Sequence, residues 1–498
     1  MRQRKHDNVE FFCSGCKRKV RKTTSLGTCP VCGGMIEVRY ELSKLLELPK
    51  EELWVGSGVW RYSKLLPFEP REAPVSLGEG GTMLQRSQRL GEILGMSRLS
   101  LKNETTNPTG SFVDRGTTVE VTNARDLGYS SIACALSGNL AASVAAYCAR
   151  AGIASEALLP LGVDLGKLYQ IVAYGAKIIQ VKDQEEAEDR LLKLDGETHG
   201  ITSQSPLFLE GLKTTGLEMA EQLEWHAPDR IVLSIGTGAH LAMIWKALKE
   251  LEELELIDAS KTKMTGVQMT GCAPIVEALG NKRRSKCDER VSLAREIAIH
   301  HPHMTDKVVQ AIRASGGTAI AVDEREIIEA VQLLARAEGI FAEPAAAATI
   351  AGLRNLIDEG EIDRRERVVC VITGTGLKEP ITSQKTMRNF AGSRKIAMRM
   401  ERRIKSLDLG TTKESILALF GKKDDYGYGI WKRLSKEKNI NISVVSVYQH
   451  LSELETAELI KKERVEVSPK RRMRVLYSLT SRGQRFLSDN IDLKEKSR

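Results

Sequence analysis

Between residues 75 and 385, short runs of β-branched and apolar residues alternate with longer stretches of helical character, and this alternation limits the possible fold more than any other feature. SSIACAL precedes SGNLAASVAAYCARAG, and EALLPLG, AKIIQVK, RIVLSIGTG and RVVCVITGTG follow, each a short run set between helical stretches. A strand that returns parallel to its neighbour needs a connection of about a dozen residues or more, and a helix supplies it. The pattern predicts an α/β fold with largely parallel sheets. At about 150 residues per domain, the 498 residues suggest three domains, and 42% hydrophobic with 5% aromatic content suits a globular chain. No internal repeat or long low-complexity segment is present. No stretch approaches the roughly 20 apolar residues of a membrane span, and the opening MRQRKHDNVEFF has no apolar signal region. The expectation is a cytoplasmic protein with no membrane partner.

Charge divides the chain further. Residues 391–498 carry 25 Lys+Arg against 14 Asp+Glu, a net of +11, residues 1–40 carry +6, and residues 41–390 carry −8. A mildly acidic body with basic ends places any nucleic-acid contact at an end.

Four of the nine cysteines form Cys13-x2-Cys16 and Cys29-x2-Cys32, separated by twelve residues. Each CxxC turn aims two thiolates at one ion, and two such knuckles complete a closed tetrahedral site, so residues 1–40 are expected to be a zinc ribbon with structural zinc. Gly15, Pro30 and Gly33 suit the knuckle turns. Cys134, Cys148, Cys272, Cys287 and Cys370 lack such pairing and read as packing residues.

Three glycine-bearing turns stand where predicted strands meet helices, where free backbone N–H groups at a helix start hold anions. They are Ser137-Gly138-Asn139, Gly236-Thr237-Gly238-Ala239-His240 and Thr373-Gly374-Thr375-Gly376-Leu377-Lys378. His240 reads more readily as a capping or packing residue at a helix start than as a catalytic group. His300, His301 and His303 read as a solvated loop.

LKNETTNPTGSFVDRG, SGNLAASVAAYCARAG, LEGLKTTGLEMA, SGGTAIAVDEREI, GIFAEPAAAATIAGL and TGTGLK, in that order, resemble threonine synthases. These are pyridoxal-phosphate enzymes of fold type II, some with a similar amino-terminal ribbon. The resemblance spans nearly all of residues 41–390 and implies a two-subdomain body. It also implies that Asn139 bonds the cofactor's ring oxygen, that Gly236, Thr237, Gly238, Ala239 and His240 wrap its phosphate, and that Thr373 faces its pyridine nitrogen. The family signature reads NPTGSFKDRG, with the lysine holding the cofactor as a Schiff base; here that position is Val113. An alkyl side chain can neither attack an aldehyde nor move protons between substrate carbons. Loss of a positioned acid/base alone costs on the order of 10²- to 10⁴-fold. Other departures accompany it: Ala239 and His240 end the phosphate loop, Phe208 stands where an arginine is expected before LEG, and Ala346 replaces a serine. Lys102 and Lys213 are the alternative amines, each with a familial counterpart.

After a basic linker, residues 391–410, the pattern becomes three short helices and a hairpin: ESILALF, GYGIWKRLSKEK, SVVSVYQHLSELETAELI, then KKERVEV and RMRVLYSLT around Ser468-Pro469-Lys470. This order is that of a winged helix, and YGYGIWKRL, SVYQHLSELETAELI and RRMRVLYSLTSRG resemble PadR-type regulators across residues 411–498. One departure is Glu458, where relatives carry glycine. The resemblance implies double-stranded DNA as partner, with Ser443, Ser446, Tyr448, Gln449 and His450 at bases or phosphates and Lys470, Arg471, Arg472 and Arg474 on the wing.

Together these readings predict a homodimeric DNA-binding regulator with a catalytically degenerate sensor body. Pyridoxal phosphate held without a covalent bond, an amino acid or a phosphorylated amino acid is the expected effector. The competing expectation is an active pyridoxal-phosphate enzyme, converting O-phosphohomoserine to threonine, with a regulatory tail.

Overall fold

The structure is a computed structural model that describes residues 9–20, 26–135, 138–160, 163–280, 292–380, 410–420, 425–467, 473–484 and 486–487. Residues 1–386 and 387–498 form separate compact units. The first opens with β1 (Val9–Cys13) and β2 (Ile36–Tyr40), paired antiparallel. Strands β3 (Leu84–Arg86) and β4 (Leu99–Asn103) lead to a four-stranded sheet of β5 (Ser131–Ala135), β6 (Ala154–Pro160), β7 (Lys177–Val181) and β8 (Thr198–Ile201). The chain then returns through β9 (Arg230–Ser234), β10 (Lys263–Met269), β11 (Thr318–Val322) and β12 (Val368–Ile372) to complete a six-stranded sheet, ordered β11-β10-β9-β12-β4-β3.

Every pairing in the two larger sheets is parallel except that of β3 with β4. Central strands covered on both faces lose the polar alternation of a half-exposed sheet; β9 and β12 are accordingly buried along their whole length. The helices that position the cleft are α1 (Asp114–Leu127), α2 (Gly138–Ala151), α3 (Leu165–Ala173), α4 (Pro206–Gln222), α5 (Ala239–Glu253), α6 (Thr305–Ala314) and α7 (Pro344–Asp358). Proline in the first turn of α4 and α7 suits a position whose N–H has no helical partner.

In the second unit, α8 (Gly410–Phe420), β13 (Asp425–Tyr426), α9 (Gly427–Lys438) and α10 (Val444–Thr456) precede the hairpin of β14 (Ile460–Val467) and β15 (Met473–Leu479). Val447, Leu451 and Leu454, one face of α10, are buried with Ile416, Leu417, Ile430 and Leu434 in a core of its own. This is a winged helix. Among the described residues no helix is long and apolar enough to cross a membrane.

Candidate functional site

Strands β9, β12 and β4 are parallel neighbours, so the turns leaving their carboxyl ends lie side by side, the usual place for a ligand in an open α/β sheet. The segment after β4 crosses the one after β12. Phe112 N–H donates to the Thr373 carbonyl at 3.0 Å, Thr375 N–H to the Gly110 carbonyl at 2.9 Å, and Ser111 bridges to Gly374. The smaller sheet contributes α2. Its Asn139 amide donates to both Glu343 carboxylate oxygens at 3.1 and 3.2 Å, and Ser143 donates to Asp114 at 2.5 Å. Asn139, Thr373 and Val113 thus border one region where the two sheets meet. Ser137 lies outside the described residues.

Val113 immediately precedes α1 in helical backbone geometry, 7% exposed, and its side chain offers only carbon. The alternative amines are engaged. Buried Lys102 donates to the Thr82 carbonyl (2.8 Å), Glu218 (2.5 Å) and Gln222 (2.8 Å), which accounts for all three of its N–H groups. Lys213 lies between Glu210 (2.5 Å) and Glu250 (2.7 Å), over the Tyr40 ring. Behind Val113, buried Arg115 pairs with Glu104 (2.7 Å) and Glu218 (2.9 Å). Burial alone would raise the Glu104 carboxyl, but the Arg115 guanidinium overrides it and holds the group down at about 2. Phe208 fills space against α1, where a Cβ at Gly116 would sit 2.3 Å from its ring. Ala346 is fully buried in α7.

The turn Gly236–Gly238 runs into α5. Its glycines are fixed by contact: a Cβ at Gly236 would lie 2.3 Å from the Glu296 carbonyl oxygen, and Gly238 has φ of +90°. Ala239 N–H is only 3.4 Å from the Thr237 hydroxyl. Among the described residues the N–H groups of Gly236, Thr237 and Gly238 meet no protein acceptor. Three free donors at a helix start suit a phosphate. His240, in the first turn of α5, faces inward: its ring stacks on Phe112 with centroids 4.1 Å apart, and Nε2 lies 3.0 Å from the Thr215 hydroxyl. Burial pushes its pKa down to about 3, so the ring is neutral. The donor set therefore fits the phosphate of pyridoxal phosphate, and the Val113 side chain does not fit the covalent bond.

Two side chains missed in the sequence appear here: Lys378, buried at the end of the turn Gly376–Lys378, and Lys167, buried against Glu296 and Glu379 at 2.6 Å each. Lys378 closed a motif already singled out, but sequence gives no sign that its amine is buried.

In the ribbon, the Sγ atoms of Cys13, Cys16, Cys29 and Cys32 lie within 4.8 Å of one another, with Cys13–Cys32 at 3.4 Å and Cys16–Cys29 at 3.8 Å. A tetrahedral zinc–thiolate site with bonds of about 2.3 Å separates its sulfurs by about 3.8 Å, so the donor set fits a metal ion. A Cβ at Gly34 would sit 2.9 Å from the Cys13 sulfur, which makes this glycine part of the knuckle. The backbone N–H of Gly34 and the neighbouring thiols pull Cys32 down to about 6. Cys134, Cys148, Cys272 and Cys370 are buried, and Cys287 lies outside the described residues. His300 and His301 are exposed, His303 is half-buried, and His300 Nδ1 lies 3.5 Å from the Cys272 sulfur.

In the winged helix, Ser443 caps α10, accepting from Ser446 N–H at 3.0 Å. Tyr448 is half-buried against Gly427. Gln449 and His450 turn toward Glu453, at 3.0 and 3.6 Å. Arg474 lies on β15 opposite Glu466, and Lys470, Arg471 and Arg472 lie outside the described residues. Glu458 takes left-handed geometry just after the helix, at φ +57°.

Residues 75–374 match the family described as pyridoxal-phosphate dependent enzyme. The chain belongs to that family. Residues 416–489 match a second, the transcriptional regulator PadR-like family, so the body is fused to a PadR-like domain. The threonine synthase of Methanocaldococcus jannaschii is 45% identical over 378 residues, 74% of this chain and 92% of that protein. That of Methanosarcina acetivorans is 43% identical over 377 residues, with the same shares. Among solved structures, an L-serine ammonia-lyase from Rhizomucor miehei aligns with a TM-score of 0.54 at 19% identity, covering 62% of this chain and 98% of that one. Maize serine racemase aligns at 0.52 and 18%, covering 66% and 94%. These two show a shared fold for the body.

Proposed function

We propose that this protein is a DNA-binding transcriptional regulator in which a threonine-synthase-like body without its cofactor amine serves as sensor and dimerisation platform. The observation that carries the reading is Val113, an aliphatic residue at the start of α1 in a cleft that keeps Asn139, Thr373 and the Gly236–Gly238 turn, in a chain that also carries a PadR-like domain. The relatives that share three quarters of the chain are threonine synthases. Here no nitrogen at residue 113 can hold an aldehyde, and Lys102 and Lys213 are locked in ion pairs.

What remains is binding capacity. The turn Gly236–Gly238, the amide of Asn139 and Thr373 would hold pyridoxal phosphate, or an amino acid or phosphorylated amino acid, without a covalent bond. When bound, pyridoxal phosphate supplies an electron sink for carbanion chemistry, which a sensor leaves unused. The four cysteines hold zinc and brace the body. The recognition helix α10 enters the major groove of double-stranded DNA with Ser443, Ser446, Tyr448, Gln449 and His450, and Lys470, Arg471, Arg472 and Arg474 neutralise phosphates. In a homodimer, a ligand that favours one arrangement of the two units shifts the spacing of the paired readers.

The test has two arms. Incubation of the full chain with pyridoxal phosphate followed by borohydride leaves no lysine adduct, and O-phosphohomoserine releases no phosphate. In contrast, Val113→Lys acquires an adduct on the peptide containing residue 113. A wild-type adduct accompanied by threonine formation overturns the reading in favour of an enzyme. In the second arm, operator affinity changes with at least one of the candidate ligands; identical affinity with all of them removes the sensor.

A further inference from the structure

Two buried polar groups at the crossing of the β4 and β12 turns have no hydrogen-bond partner among the described residues. Lys378 is 2% exposed and its Nζ meets no acceptor, and Ser111, 1% exposed, has an unpartnered hydroxyl. Both belong to segments already joined. Ser111 bridges to Gly374, and a Cβ at Gly110 would lie 3.5 Å from Lys378 Cδ.

The carboxylates whose charge acts on Lys378 are Glu343, Asp114 and Glu296, and each is engaged elsewhere, Glu296 with Lys167 at 2.6 Å. Asp114 accepts from Thr109 N–H (2.7 Å), the Thr109 hydroxyl (2.6 Å) and the Ser143 hydroxyl (2.5 Å), and Glu343 accepts from Asn139. Lys167 shows what a satisfied lysine in this region looks like, with two carboxylates at 2.6 Å. Lys378 has no such contact among the described residues. Desolvation dominates its environment and pushes the amine down to about 8. A buried ammonium with three idle N–H donors is costly, and such a site is stabilised by an acceptor from outside the chain.

We infer that Lys378 and Ser111 form an anion-binding subsite of the cleft that takes a carboxylate or phosphate oxygen of a small ligand. The inference deepens the sensor reading and rests on it. Lys378 acts as a charged donor and Ser111 as a hydroxyl donor at the same oxygen-bearing group, so a ligand lacking an anion gains nothing from either.

The experiment uses the full-length, zinc-loaded protein, its Lys378→Met and Ser111→Ala variants, and four probes: inorganic phosphate, L-threonine, pyridoxal phosphate and pyridoxal. Without ligand, Lys378→Met melts above wild type, because an idle buried charge has become a thioether of similar length. In calorimetric titrations it binds the preferred anion at least tenfold more weakly, while pyridoxal binding is unchanged. Ser111→Ala keeps the wild-type melting temperature and loses a few-fold in the same affinity. A response to inorganic phosphate and pyridoxal phosphate assigns the subsite to phosphate; a response to threonine alone assigns it to carboxylate. Four results overturn the inference. Lys378→Met melting below wild type makes Lys378 a structural counter-ion of Asp114 and Glu343. Unchanged anion affinity in both variants removes the subsite. A borohydride-fixed pyridoxal adduct on Lys378 makes it a nucleophile. If no anion binds wild type, subsite and sensor fail together; anion binding that both variants leave intact removes the subsite alone.

Discussion

The side chain of His240 shows how a cleft residue titrates when it is turned inward. Its ring lies between Phe112 and Thr215, and burial depresses its pKa to about 3, below the roughly 6.5 of an exposed histidine. The folded state therefore binds fewer protons than the unfolded chain between those values. Stability is complete above about pH 6.5 and falls as pH drops toward 3, by up to about 1.4 kcal/mol per unit from this group. Denaturant melts of wild type and His240→Phe at pH 7 and pH 5 should differ by about 1–2 kcal/mol in their acid loss, with the phenylalanine variant flatter. Glu458 offers a second residue-scale check. It sits at φ +57°, where a Cβ is strained by about 1 kcal/mol or more, and among the described residues its side chain makes only an exposed pair with Arg482. Glu458→Gly should stabilise the winged helix by about 0.5–1 kcal/mol, measured by thermal melting.

At the scale of elements, the ribbon is a brace for the cleft. Strand β2 is gripped by three helices: Lys246 of α5 donates to the Val38 carbonyl at 2.7 Å, Tyr40 donates to Glu210 of α4 at 2.8 Å, and Lys307 of α6 pairs with Glu37 at 2.6 Å. Helix α5 starts at the Gly236–Gly238 turn, and Met304, just before α6, donates to the Thr237 carbonyl at 3.1 Å. On the proposal that the four cysteines hold zinc, a chelator should therefore lower the melting temperature and raise hydrogen exchange in residues 9–40 and in the first turns of α5 and α6. Exchange confined to residues 9–40 would show that the ribbon and cleft are independent. Tyr40→Phe, which leaves a buried Glu210 short of one donor, should cost about 1–3 kcal/mol without loss of metal. The ribbon was legible because CxxC spacing encodes a local geometry. Its grip on α4, α5 and α6 was not, since nothing in the sequence sets Glu210, Lys246 and Glu250 apart from other helix charges.

For the whole molecule, the proposed regulator assigns DNA contact to the basic second unit, and the salt dependence of DNA binding tests that assignment. Arg471→Ala and Arg472→Ala should each weaken binding across all sequences and reduce the slope of log K against log salt by about 1, by filter binding or anisotropy. An unchanged slope would place the wing away from phosphate. The alternating pattern determined the parallel α/β body by itself, because strands buried on both faces must be apolar along their length and their crossovers must be long. The winged helix was equally local, since Val447, Leu451 and Leu454 mark one helical face. That residue 113 carries no amine was also plain in sequence, because imine chemistry depends on one atom. Only the tertiary structure decided what surrounds that position. Whether a lysine is paired or idle depends on which carboxylates the fold brings to it: Lys102 and Lys213 meet theirs, and Lys378 is buried beyond reach of Asp114 and Glu343. The surroundings of Lys378 are set where the segments after β4 and β12 cross, and those strands lie more than 250 residues apart in the chain.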